Sequence, residues 1–135
     1  MPNLTFGPPL VKAIRPHIRT VMDVHLMIAP VDPYIGAFAE AGADVILLDD
    51  GFQNPDVAKD LSIVVVDAMR GFGNGLVIPA GPLRETVASG LKRADLVLSI
   101  GPPAAQDRFA DQWRFSVPHL VGHLAPLPTG MPWRD

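Results

Sequence analysis

Two adjacent carboxylates, Asp49 and Asp50, are the side chains in this sequence best suited to chemistry. They follow the apolar run Val45-Ile46-Leu47-Leu48 and precede Gly51-Phe52-Gln53. Such a run fits a buried parallel strand, and the C-terminal end of such a strand is where open α/β sheets hold ligands. Paired hard oxygen donors there suit a divalent cation, above all magnesium on a nucleotide phosphate. Acids in the same place also end strands and cap the turn that follows. Spacing alone leaves both readings standing.

Three other groups offer chemistry with weaker signals. The loop Arg70-Gly71-Phe72-Gly73-Asn74-Gly75 could cradle an anion with its backbone N–H groups, or simply be a turn. It is not a P-loop, since no G-x-x-x-x-G-K-[ST] occurs in the chain. Arg84-Glu85 falls at the expected start of a helix, where an acid complements the positive helix end; in the functional reading Glu85 is a third carboxylate beside Asp49 and Asp50. His25 sits within an apolar stretch and would need two or three partner ligands to hold a metal; none lies at a suitable spacing. His119 and His123 alternate along the last expected strand with no acid nearby and receive no role. No Ser-His-Asp ordering has local support.

The elements that must position these groups alternate. A short helix is expected over 10–14, stopped before Pro16, then a strand over 20–28. A helix from Asp32-Pro33, with Asp32 as its cap, ends at Gly42. A strand follows over 45–48, and then a short helix over 55–59 capped by Asn54. The remaining expectations are a strand over 63–66, a helix over 83–94, a strand over 96–100, a helix over 104–113 and an edge strand over 120–124. The tail from 125 is proline-rich and reads as irregular. Alternation of this kind, with acids at strand ends, predicts an α/β fold: a three-layer α/β/α sandwich with about five mostly parallel strands.

Composition narrows the function classes. The 135 residues suit one domain able to bury about two thirds of its unfolded surface. A hydrophobic content of 48% and a charged content of 19% argue for a packed core and against disorder. The net charge of −3, with no Lys/Arg cluster, argues against nucleic acid as a partner. With no cysteine, disulfides and thiolate metal sites are excluded, which fits a cytoplasmic location. No apolar run approaches the ~20 residues of a membrane span, and the N-terminus has no signal-peptide pattern.

Two family resemblances emerge from longer motifs. Residues 1–44, with PNLTFGPPLVKAIRP, DVHLMI and DPYIGAFAEAGAD, resemble ribulose-phosphate 3-epimerase, a (β/α)8 barrel with a divalent metal. That resemblance implies that His25 is a relic metal ligand and Met27 a residue that lined the active site. Residues from about 40 to 134, with AGADVILLDDGFQN, RGFGNGLVIPAGPLRE, LKRADLVLSIG and LAPLPTGMPW, resemble tetraacyldisaccharide 4'-kinase of the lipid A pathway. This family is a P-loop-type, Rossmann-like α/β enzyme that uses ATP and Mg2+ to phosphorylate the lipid A disaccharide precursor at the cytoplasmic face of the inner membrane. By this resemblance Asp49 and Asp50 sit at the magnesium–phosphate site, with Gln53, Arg84 and Glu85 facing the reacting phosphates.

Both patterns are partial. The epimerase-like stretch lacks that family's other metal ligands. The kinase-like stretch lacks the membrane anchor, the P-loop, the upstream catalytic aspartate and the lobe bearing a catalytic histidine. The expectation is therefore a single α/β domain over 1–135 that is a chimera, 1–44 epimerase-like and 45–135 kinase-like. The join at Ala41-Gly42-Ala43-Asp44 keeps the helix-to-strand phase of both families. Such a chain is expected to be catalytically inactive, a non-catalytic recombined or designed scaffold being the alternative and an epimerase relic the third reading. Edge strands left by the truncation can drive homodimerisation.

Overall fold

The computed structural model describes residues 6–125, and the chain divides into two compact units, Met1–Ala58 and Lys59–Asp135. The α/β class expected from the sequence is what forms. Five strands are present among the described residues, every pairing is parallel, and they make one sheet of two strands and one of three.

In the first unit, helix α1 (Pro8–Ile14) starts with prolines in its first turn, where a missing N–H costs nothing. A single 3-10 turn, Arg15–His17, follows it. Strand β1 (Asp23–Leu26) then leads through helix α2 (Asp32–Glu40) to strand β2 (Val45–Leu48). The strands pair from Asp23↔Val45 to Leu26↔Leu48. Strand periodicity sends Leu26, Ile46 and Leu48 toward the helices, where Val11, Met22, Val31, Phe38 and Ala41 are buried with them. His25, Val45 and Leu47 stand on the other, exposed face.

Two local expectations fail here for one reason, competition by short polar side chains. Asp32 does not cap α2; Val31 holds the cap position with no side-chain bond, and the Asp32 carboxylate instead accepts from Asn54 Nδ2 at 3.2 Å. Residues 55–59 are not helical, because Asn54 Oδ1 accepts from the Asp56 N–H at 2.9 Å and closes a turn. The end of α2 is as expected. Gly42 takes φ 103°, and its N–H donates to the Ala39 carbonyl at 2.9 Å.

In the second unit the sheet order is β3 (Ile63–Asp67), β4 (Leu96–Ile100), β5 (His119–Gly122), with β4 central. Helix α4 (Pro103–Gln112) covers one face: Ala105 and Phe109 are buried against Val66 and Val97. Phe72, Trp113 and Phe115 close the edge of this core in tilted and edge-on ring contacts. The helix expected over 83–94 shrinks to α3 (Val87–Leu91). Leu83 is drawn into a bridge with Val77, and Thr86 caps the helix by accepting from Ser89 N–H at 3.2 Å.

The same joint appears in both units. An Ala-Asp pair precedes β2 and again β4. The Asp44 N–H donates to Met22 O at 2.9 Å, and its carboxylate accepts from Met22 N–H at 2.9 Å. The Asp95 N–H likewise donates to Ser62 O at 2.9 Å, and its carboxylate accepts from Ser62 N–H at 2.7 Å. Each aspartate thus ties the start of its own strand to the residue just before the neighbouring one. This fixes register before the apolar ladder begins.

Candidate functional site

Strand β2 carries Asp49 to the end of the first sheet, where its N–H makes the last ladder bond, to Leu26 O at 3.2 Å. The same register brings His25 close. Its Nε2 lies 3.6 Å from Asp49 Oδ2, an ion pair whenever the imidazole is protonated, with both side chains about half exposed. The two residues singled out for different chemistries are therefore neighbours on one sheet face. Met27 follows the last residue of β1 and is 72% exposed.

Asp50 is exposed and adopts φ 57°, the left-handed region that L residues other than Asn and Asp seldom enter. The chain therefore reverses at Asp50, leaving both carboxylates at the strand's end. Gly51 follows with no room for a side chain: a Cβ there would lie 2.6 Å from Leu48 Cβ. Gln53 is exposed on the turn just beyond.

In the second unit, Arg84 and Glu85 occupy the stretch between the Leu83 bridge and the Thr86 cap, rather than a first helical turn. Arg84 is exposed. Glu85 is engaged by both ends of the Arg93 guanidinium, Nη2 to Oε1 at 2.6 Å and Nη1 to Oε2 at 2.9 Å. The hydrogen bonds that Arg93 donates to Glu85 hold the guanidinium above the ordinary arginine range, against a smaller opposing effect of desolvation.

The glycine-rich loop is built for protein contacts. Gly71 and Gly73 have φ 56° and 61°. A Cβ on Gly71 would lie 3.1 Å from Trp113 Nε1, and one on Gly73 would lie 2.8 Å from Pro82 Cγ. Both glycines therefore admit a packed ring, and their N–H groups already donate within the chain, to Asp67 O at 2.8 Å and to Arg70 O at 3.1 Å. The Trp113 Nε1–H is buried without a hydrogen-bond acceptor. The indole instead stands edge-on to Phe72, ring centroids 5.0 Å apart at 82°, a setting for weak N–H···π attraction.

Sequence reasoning passed over one buried polar cluster. Ser99 on β4 is fully buried; its hydroxyl donates to Gln106 Oε1 on α4 and lies 2.7 Å from His119 Nε2 on β5. Gln106 Nε2 donates to the carbonyls of Ser99 at 3.0 Å and Gly122 at 3.2 Å, which fixes the orientation of the amide. With the one Ser99 proton committed to Gln106, His119 must be the donor to Ser99, so its Nε2 carries hydrogen. A serine whose proton already points at an amide oxygen, sealed from solvent, is no nucleophile. The cluster staples α4 to β4 and β5. The available signal was Ser99 itself, a hydroxyl inside the apolar run Leu96–Ile100, which had to find a partner.

Paired oxygen donors on a strand-end reversal suit magnesium, which takes one or two carboxylates, keeps several waters and completes its shell on phosphate. Among the described residues, no group of three or more His, Asp or Glu side chains gathers as a self-sufficient metal site. Nor, among them, is any helix long and apolar enough to cross a membrane.

Comparison with known proteins fits this pattern of residues. The profile of the family described as Tetraacyldisaccharide-1-P 4'-kinase matches residues 26–131. The tetraacyldisaccharide 4'-kinase of Jannaschia sp. is 72% identical over 93 residues, covering 67% of this chain and 28% of the relative. That of Dinoroseobacter shibae is 71% identical over 96 residues, covering 69% of this chain and 28% of the relative. That of Hyphomonas neptunium is 43% identical over 136 residues, covering 93% of this chain and 40% of the relative. The chain thus spans between a quarter and two fifths of the length of these relatives. The family match begins inside the stretch that resembles an epimerase and runs to residue 131, within the last kinase-like motif. This chain belongs to the tetraacyldisaccharide-1-P 4'-kinase family.

Proposed function

We propose that the chain carries the magnesium-and-phosphate side of a tetraacyldisaccharide 4'-kinase site. The observation that carries this reading is the Asp49-Asp50 pair on a left-handed reversal at the C-terminal end of a parallel strand, inside the family match. Asp49 and Asp50 would hold the cation, which when bound neutralises charge on the ATP phosphates. By the family resemblance, Gln53 in the first unit and Arg84 and Glu85 in the second are the other metal-and-phosphate residues: Arg84 would meet phosphate through its fixed positive fork, and Glu85, itself an anion, through a cation. The phosphoryl acceptor is the lipid A disaccharide precursor, met at the cytoplasmic face of the inner membrane.

These residues by themselves would bind without turning over. Phosphoryl transfer depends on positioning and neutralising the β- and γ-phosphates, and the sequence holds no P-loop to do it. Two measurements test the proposal. Magnesium-ATP in hundredfold excess over its Kd should stabilise the protein by about 2.7 kcal/mol, and the Asp49→Asn/Asp50→Asn variant should lose that shift. Radiolabelled phosphate moving from ATP to the disaccharide above a protein-free blank would refute the inactivity. Absence of any magnesium-dependent shift in the wild type would favour a non-catalytic scaffold.

A second reading concerns ancestry. The relatives at 72% and 71% identity cover 67% and 69% of the chain, the share that a kinase segment starting near residue 42 would occupy. This supports a chimera joined at 41–44, with His25 and Met27 as epimerase relics. The relative covering 93% of the chain supports continuous kinase descent instead. A single uninterrupted genomic read across codons 35–50, with no epimerase or kinase gene truncated, would refute the version in which the join is an artefact of sequence assembly. We further propose that exposed Leu120 and Val121 on edge strand β5 support a homodimer, testable by sedimentation.

A further inference from the structure

We infer that Arg93 is a positioning residue for Glu85, holding its carboxylate in one orientation and competing with any cation for its oxygens. The inference rests on the proposed phosphate-side role of Glu85. The two residues flank helix α3, Glu85 before the Thr86 cap and Arg93 just past the Lys92 cap. The guanidinium reaches back along the whole helix to close two hydrogen bonds of 2.6 and 2.9 Å, one to each carboxylate oxygen. Such a two-pronged grip fixes both the position and the plane of the carboxylate, which a lysine cannot do. Glu85 is the more enclosed partner, its side chain 22% exposed against 48% for Arg93, so the arginine approaches from the solvent side. A cation reaching Glu85 has to take an oxygen that Arg93 already holds, and does so against the arginine's charge. The grip therefore keeps the carboxylate oriented while no cation is bound, and weakens binding of bare magnesium. Arg93 remains charged at every workable pH.

The test follows the Glu85 side-chain carboxyl signal by carbon NMR in the full chain during titration with magnesium chloride. Wild type, Arg93→Lys and Arg93→Gln are compared, each checked for folding by circular dichroism. The expected result is a magnesium midpoint at Glu85 about three- to fivefold lower in Arg93→Gln than in wild type. Arg93→Lys should lie between them, and its Glu85 signal should start from a shifted position, because charge is kept but the two-pronged geometry is lost. Equal midpoints in all three proteins, or no response of Glu85 in any of them, would overturn the inference. The Asp49 and Asp50 carboxyl signals report separately on the proposed function. Their silence with a responding Glu85 would sink the magnesium-site reading and leave the role of Arg93 intact.

Discussion

Replacing Ser99 by alanine removes one oxygen from a site with no access to water, and the surroundings set the cost. In the wild type Ser99 is 0% exposed, its hydroxyl donates to Gln106 Oε1, and it accepts from His119 Nε2 at 2.7 Å. The variant leaves the Gln106 oxygen buried and unpaired, at about 1–3 kcal/mol. His119 is only half buried and can turn toward water, so its loss adds less. The expected destabilisation of the second unit is about 2–3 kcal/mol. Gln106→Met keeps the shape while removing the amide that spans the Ser99 and Gly122 carbonyls. In that background the serine has no amide oxygen left to satisfy, so Ser99→Ala should cost at least about 1 kcal/mol less than it does alone. Urea unfolding followed by Trp113 fluorescence, with Trp133→Phe in every variant, gives the four free energies. Additivity of the two substitutions, or a Ser99→Ala cost below about 0.5 kcal/mol, would show that the cluster is not the staple described.

Backbone strain at the acidic pair makes a second prediction: Asp50, at φ 57°, should accept glycine better than alanine, the alanine variant being about 1 kcal/mol less stable than the glycine one. Thermal melts that rank alanine with glycine would contradict it. Gly71→Ala adds a methyl 3.1 Å from the Trp113 indole nitrogen at a φ of +56°, and should cost about 1–3 kcal/mol while shifting Trp113 emission. A silent substitution there would reopen the loop as a ligand cradle. Thr86→Ala removes the cap of α3 and should cost about 0.5–1 kcal/mol, read as faster amide exchange at Ser89.

Much of the architecture was legible because short-range physics decides it. The runs Val45–Leu48 and Leu96–Ile100 form strands at the expected residues, since a short apolar run next to an Ala-Asp joint has few other ways to hide its side chains. Gly42 ends α2 with the positive φ its type allows. The short polar side chains were misread because they choose among several nearby backbone partners. Asn54 closes a turn instead of opening a helix, and the 83–94 helix loses its first turn to the Val77↔Leu83 bridge.

The candidate site divides along the same line. The sequence by itself determined the α/β class, the placement of Asp49 and Asp50 at a strand end and the family to which the chain belongs. These depend on local hydrophobic pattern and on runs of contiguous residues. Only tertiary structure decided that His25 faces Asp49, that Arg93 grips Glu85 across α3, and that Ser99, Gln106 and His119 form one staple. Each of those contacts joins residues that the chain separates by several positions or more. Whether they meet depends on the register of parallel strands and the packing of a helix over them, which no spacing in the sequence encodes.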